Sequence, residues 1–231
     1  MRRNGIGGSL LALLALAGPA AGAPPVEDSM AQRVLACTGC HGKEGRAARD
    51  GYYPRIAGKP AGYLTHQLLN FRDGRRGYAL MARLLAPLDD AYLREIAAHF
   101  AALDLPYAPT PAPRGDPAGQ VTGARLVRDG DPARGIPACL QCHGAALTGI
   151  APALPGLLGL PPDYIAAQLG AWRTGQRSAQ APDCMAQIAR LLAPQEIAAV
   201  AQWLAAQPVP AGARPLAQRN NALPLACGGV P

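Results

Sequence analysis

This chain states one pattern twice, and that constrains its fold more than any other feature. ACTGCHG at residues 36–42 returns as ACLQCHG at 138–144. GYLTHQLLNFRDGRR (62–76) is matched by DYIAAQLGAWRTGQR (163–177), pairing Tyr63 with Tyr164, Gln67 with Gln168, Phe71 with Trp172 and Gly74 with Gly175. MARLLAPLDDAYLREIAAHF (81–100) is matched by MAQIARLLAPQEIAAVAQWL (185–204). The repeat is far longer than the roughly 20–45 residues of a solenoid unit, so the expected architecture is two tandem domains. Their predicted bounds are 24–103 and 120–208, joined by a linker at 104–119 and followed by a tail at 209–231. The linker carries Pro106, Pro109, Pro111, Pro113 and Pro117, a density that stops helices and favours an extended, semi-rigid spacer.

Within each repeat the apolar period is helical. Leu84, Leu88, Tyr92, Ile96 and Phe100 step by four, which stacks them on one helix face. Ile188, Leu192, Glu196, Val200 and Leu204 repeat the steps, with Glu196 the polar exception. Pro87 and Pro194 fall near the starts of these final helices, where proline is tolerated. Shorter helices are predicted over 29–36, 63–71, 121–128 and 164–172. No alternating run is long enough for a sheet, so the fold class is all-α. Domains this small bury little apolar material, and something else should help to fill each core.

Residues 1–23 read as a secretory signal peptide: Arg2 and Arg3, an apolar run from Ser9 to Gly18, and Ala21-Gly22-Ala23 as the cleavage site. The apolar run falls short of the roughly 20 residues a membrane span needs, and no later stretch reaches it. Export to an oxidising compartment permits disulfides. The full chain has 22 basic and 15 acidic residues; without Arg2 and Arg3 the balance is 20 against 15, a net +5. These charges are spread without a patch or stripe, which argues against nucleic acid as a partner.

The cysteines carry the chemistry. Cys37, Cys40, His41 and Cys139, Cys142, His143 form two Cys-x-x-Cys-His motifs, the arrangement of c-type haem attachment. Two thiols one helical turn apart can each form a thioether to a haem vinyl group, and the next imidazole then meets the iron. A porphyrin would supply the flat apolar body that each core lacks. A zinc site would need four ligands, whereas the two motifs are about 100 residues apart and each offers three. A thioredoxin-like dithiol expects a βαβ context, which is missing. For the second axial position, Met81 and Met185 recur at equivalent places after the two histidines, whereas Met30 has no counterpart and reads as packing. His66 and His99 also lack counterparts; either is the alternative ligand in the first domain.

Cys184 stands beside Met185, but its counterpart is Leu80, and Cys227 lies in the unrepeated tail. An intramolecular Cys184–Cys227 bridge is expected; free thiols or an intermolecular bridge are the alternatives. Pro54 and Pro152 are candidates to present the carbonyl that an axial imidazole's second N–H needs. Tyr63, Tyr164, Arg76 and Arg177 recur and would face the haems or the domain interface, plain packing being the alternative.

PRIAG, YLTHQLLNFRDG, PALPG and YIAAQLGAWRTG, set beside the two haem motifs, resemble the dihaem cytochromes of the c-four subfamily. The resemblance spans 26–105 and 120–207. It implies two class I cytochrome c domains, one covalent haem in each, and electron transfer in the periplasm. The long proline-rich linker and the cysteine-bearing tail depart from the pattern; the tail also resembles cytochrome subunits that serve dehydrogenases. Paired His/Met ligation fills both axial positions, which favours an electron carrier over a peroxidase. The expected partners are redox proteins: a terminal oxidase, a quinol-oxidising complex or a periplasmic dehydrogenase.

Overall fold

The computed structural model describes residues 27–47, 52–110 and 116–230. The predicted signal peptide, 1–23, and linker residues 111–115 lie outside them. The first repeat contains α1 (Met30–Arg33), α2 (Leu35–His41), α3 (Ala61–Arg72), α4 (Ala79–Leu85) and α5 (Asp90–Ala102). The second contains α6 (Pro117–Arg128), α7 (Cys139–His143), α8 (Pro162–Thr174), α9 (Cys184–Leu191) and α10 (Pro194–Ala205). Among the described residues no helix is long and apolar enough to cross a membrane.

Local chemistry sets these boundaries. Asp89, Asp116 and Asp183 cap α5, α6 and α9 by accepting from the backbone N–H of Tyr92, Gly119 and Ala186 at 2.8, 2.8 and 2.9 Å. Pro117, Pro162 and Pro194 sit in the first turns of α6, α8 and α10, where a missing N–H costs nothing. Gly175 closes α8 in the left-handed conformation, φ 78°.

The four-step apolar rows do not lie on single helices. Each is broken in the middle, between α4 and α5 and between α9 and α10. Pro87 cannot sit inside a helix, and Leu192 and Ala193 turn extended (ψ 130° and 154°) ahead of Pro194. The helix expected over 29–36 is likewise split, at Val34 (φ −95°, ψ 12°). The second repeat also holds a minimal antiparallel hairpin, β1 (Gly149–Ile150) and β2 (Leu154–Pro155), with Gly149 opposite Pro155 and Ile150 opposite Leu154. Leu216 of the tail joins it through a parallel bridge to Ile150.

One apolar core lies in each repeat. Val34, Leu64, Leu85, Leu93, Ile96 and Phe100 anchor the first, with Cys37 and Met81 packed against it. Leu126, Val127, Ile165, Val200, Trp203 and Leu204 anchor the second, with Cys139 and Met185 packed against it. In the second core α6 and α10 approach so closely that a Cβ on Gly123 would collide with the Ala199 carbonyl.

The linker is not a free spacer. Arg55 donates to the carbonyls of Leu105 and Pro106, and its guanidinium stacks 3.9 Å above the Tyr107 ring. Beyond it, Thr110 Oγ1 donates to the Gln207 carbonyl at 3.3 Å.

Candidate functional site

Both Cys-x-x-Cys-His motifs lie on helices, α2 and α7, which bring the thiols and the imidazole of each to one wall of a cavity. The His41 Nδ1 lies 2.9 Å from the Pro54 carbonyl oxygen, and the His143 Nδ1 lies 2.7 Å from that of Pro155. A neutral imidazole donating from Nδ1 leaves Nε2 free to ligate a metal, with its ring orientation fixed. Burial pushes the pKa of both imidazoles down, which favours this neutral form.

Pro155, not Pro152, therefore faces His143. The P-x-x-x-G pattern occurs twice in overlapping register here, as PALPG and PGLLG. The hairpin puts Pro152 at its turn and Pro155 in β2. The spacing to the following tyrosine distinguishes the two: Pro54 precedes Tyr63 by nine residues, as Pro155 precedes Tyr164. The Pro152 carbonyl instead accepts from the Tyr63 backbone N–H, 3.2 Å away in the other repeat.

None of the four motif cysteines is in a disulfide. Desolvation drives the Cys139 pKa up to about 12, which favours its neutral form. Among the described residues, no three His, Cys, Asp or Glu side chains converge to hold a metal ion on their own. A zinc site lacks its donor set.

The cavity is shared by the two repeats and measures about 1260 Å³, beyond the roughly 300–1,000 Å³ of a pocket for one small ligand. Met81 on α4 and Met185 on α9 line it together with both motifs. His66 also lines it, beside Gly229 of the tail. His99 does not; its ring packs edge-on against Phe100, 5.2 Å between centroids. Met30 packs on the first core. Cys184 and Cys227 are bridged to each other, which fastens the tail to the residue next to Met185.

Between the repeats lies a crossed network with approximate two-fold symmetry. Arg76 donates to Gln67 Oε1 (2.9 Å) in its own repeat and to Tyr164 Oη (3.0 Å) and Gln168 Oε1 (2.6 Å) in the other. Arg177 donates to Gln168 Oε1 and, across the interface, to Gln67 Oε1, both at 2.7 Å. The guanidiniums stack on Phe71 and Trp172 at 4.3 and 3.7 Å. Sequence reading named the tyrosines and arginines but gave no role to Gln67 and Gln168; their recurrence in the duplication was the available clue.

These surroundings fit haem. Arg76, Arg177 and Lys59 are buried, line the cavity and have no carboxylate partner among the described residues. The Trp172 Nε1 is buried without an acceptor. Haem propionates would supply the missing anions and acceptor, the motif thiols would add across its vinyl groups to become thioethers, and the ring would fill the apolar remainder.

Among proteins of known function, the chain is 38% identical over 169 residues to a thiosulfate dehydrogenase electron acceptor from Thiomonas intermedia, a match covering 73% of this chain and 74% of that one. It is 35% identical over 191 residues to cytochrome c4 from Pseudomonas aeruginosa, covering 82% of this chain and 92% of that one. This chain belongs to the cytochrome c4 family. The crystal structure of reduced cytochrome c4 from Pseudomonas stutzeri superposes on the cytochrome with a TM-score of 0.66 at 29% identity, covering 77% of this chain and 96% of that one. No family profile matches the chain. The cytochrome is therefore a mostly helical, two-domain electron-transfer protein with two covalent c-type haems, like its relatives a carrier and not a catalyst. When bound, each haem supplies a one-electron ferric–ferrous couple; the polypeptide holds it, orients its imidazole and excludes water.

Proposed function

We propose that this cytochrome accepts electrons from a periplasmic dehydrogenase and passes them on, with one haem in each of the domains 24–103 and 120–208. Cys37 and Cys40 form the thioethers of the first haem, with His41 and Met81 as its axial ligands. Cys139, Cys142, His143 and Met185 do the same for the second. Residues 1–23 direct export and are removed. The observation that carries the ligand assignment is that each motif histidine is held at Nδ1 by a proline carbonyl and lines a cavity that both recurring methionines also line. Thioether sulfur on both irons raises their potentials and leaves no open position for substrate.

The partner reading rests on the 38% identity to the thiosulfate dehydrogenase electron acceptor. The Cys184–Cys227 bridge fastens the tail beside Met185. A shuttle serving a terminal oxidase or a quinol-oxidising complex is the second reading, favoured by the 35% identity to cytochrome c4.

Spectra with haem quantification test the ligands. Two haems per chain, with the far-red ferric band of methionine–iron bonding at full intensity for both, are expected. A high-spin haem, or one without that band, refutes Met81 or Met185 and brings His66 forward. Stopped-flow mixing with a thiosulfate dehydrogenase and thiosulfate tests the partner. Reduction no faster than by thiosulfate alone would remove that enzyme class.

A further inference from the structure

A buried cation of the first repeat reaches the histidine loop of the second. Lys59 follows the PRIAG turn, and the equivalent position in the second repeat, after PGLLG, is Leu160. The lysine is 4% exposed and lines the shared cavity. Its Nζ donates to the Gly156 carbonyl at 2.9 Å. Gly156 is bonded to Pro155, whose carbonyl oxygen is 2.7 Å from His143 Nδ1. One hydrogen bond and one peptide unit therefore join the ammonium to the group that orients this imidazole.

The arrangement is asymmetric. Lys59 reaches the loop behind His143 from the other repeat, whereas the Nδ1 partner of His41 is the Pro54 carbonyl, 2.9 Å away in its own repeat. No carboxylate among the described residues pairs with Lys59, and the cation near it, Arg55, is repulsive. Even so, desolvation brings its pKa only to about 8, so it is charged at neutral pH. A cation buried without a protein carboxylate is costly, and an apolar side chain fills the same place in the other repeat.

We propose that Lys59 is a cross-domain positioning residue for the second haem: it holds the carbonyl of Gly156, the residue after the Pro155 whose carbonyl faces His143, and its charge raises that haem's reduction potential. Ferrous iron carries one positive charge fewer than ferric, so a fixed cation nearby favours the reduced state. The domain interface thereby acts unequally on the two haem sites. This rests on the ligand assignment proposed above.

The test is an optical redox titration of the holoprotein, resolving the two one-electron couples. Met185→His, which exchanges the thioether on one iron, marks the second couple. Lys59→Leu should shift the second couple's equilibrium about tenfold towards ferric, a fall of ~59 mV for one electron, and leave the first in place. Lys59→Arg should hold it near the wild-type value. Lys59→Gln, which keeps a donor and loses the charge, should also lower it, and serves if the leucine variant does not fold. Unmoved couples, equal movement of both, or an arginine variant as low as the leucine one would overturn the role. Haem content and the far-red band on the same samples separate the two readings. A wild type lacking a haem or a methionine bond overturns the ligation and Lys59's role with it; a wild type with both and an unmoved second couple overturns Lys59's role alone.

Discussion

Replacing Cys184 and Cys227 together by serine should weaken the second domain severely while leaving its methionine ligand in place. The bridge spans a sequence separation of 43. The chain-entropy relation for a loop of that size gives about 13 cal/mol/K, or about 4 kcal/mol at 25 °C, lost from the stability of the folded form. That is a large share of the roughly 5–15 kcal/mol of a typical domain. Met185 should nevertheless stay placed, because the start of α9 has a second anchor. Asp183 accepts from the Ala186 N–H at 2.9 Å and from the Ala179 N–H at 2.6 Å, independently of the bridge. The assay is guanidinium unfolding of the oxidised holoprotein followed by tryptophan emission. The chain has two tryptophans, Trp172 and Trp203, both in the second repeat, so emission reports that repeat alone. A fall of about 4 kcal/mol with the far-red band retained is expected. A fall below about 1 kcal/mol would refute the loop-closure reasoning. Loss of the band in the folded variant would show that the bridge, not Asp183, holds the ligand helix.

Asp183→Ala removes a helix cap and a second backbone acceptor, and should cost about 1–2 kcal/mol; the far-red band of one haem should fade on warming before tryptophan emission reports unfolding. Gln168→Leu takes an acceptor from both buried guanidiniums, each such charged hydrogen bond contributing about 1.5–3 kcal/mol. The interface should loosen by about 3 kcal/mol or more, and the first and second repeats should unfold at separate denaturant concentrations. Glu196 accepts from both Arg134 Nη groups and from the Ala193 N–H at 2.9 Å, which holds its carboxyl below the ordinary 4.5. A depressed folded-state pKa gives stability that is present above pH 4.5 and lost as pH falls through the lowered value. Glu196→Gln should thus cost about 1 kcal/mol at pH 7 and much less at pH 3, as read from urea midpoints.

Two haem motifs, two recurring methionines and two unrepeated cysteines were legible in the sequence because haem attachment follows residue type and spacing and because only two cysteines fell outside the repeat. Duplication made the reading stronger, since each claim about one repeat could be checked against the other. It failed where the repeats differ. The hairpin at 149–155 shifts the proline register, so pattern matching chose Pro152 and the fold chose Pro155. The split of each apolar row into two helices was also missed, because a four-step row continues across a proline break without losing its period.

Covalent chemistry and local propensity are properties of short stretches, and so the haem number and the helical class belong to the sequence itself. What faces what across the two repeats does not. Arg76 meeting Gln168, Arg177 meeting Gln67 and Lys59 reaching Gly156 join residues about 90–110 positions apart. No spacing rule links such residues; they meet because two small domains bury one common face. Packing, which depends on the whole surface at once, decided which cations lie beside which haem site.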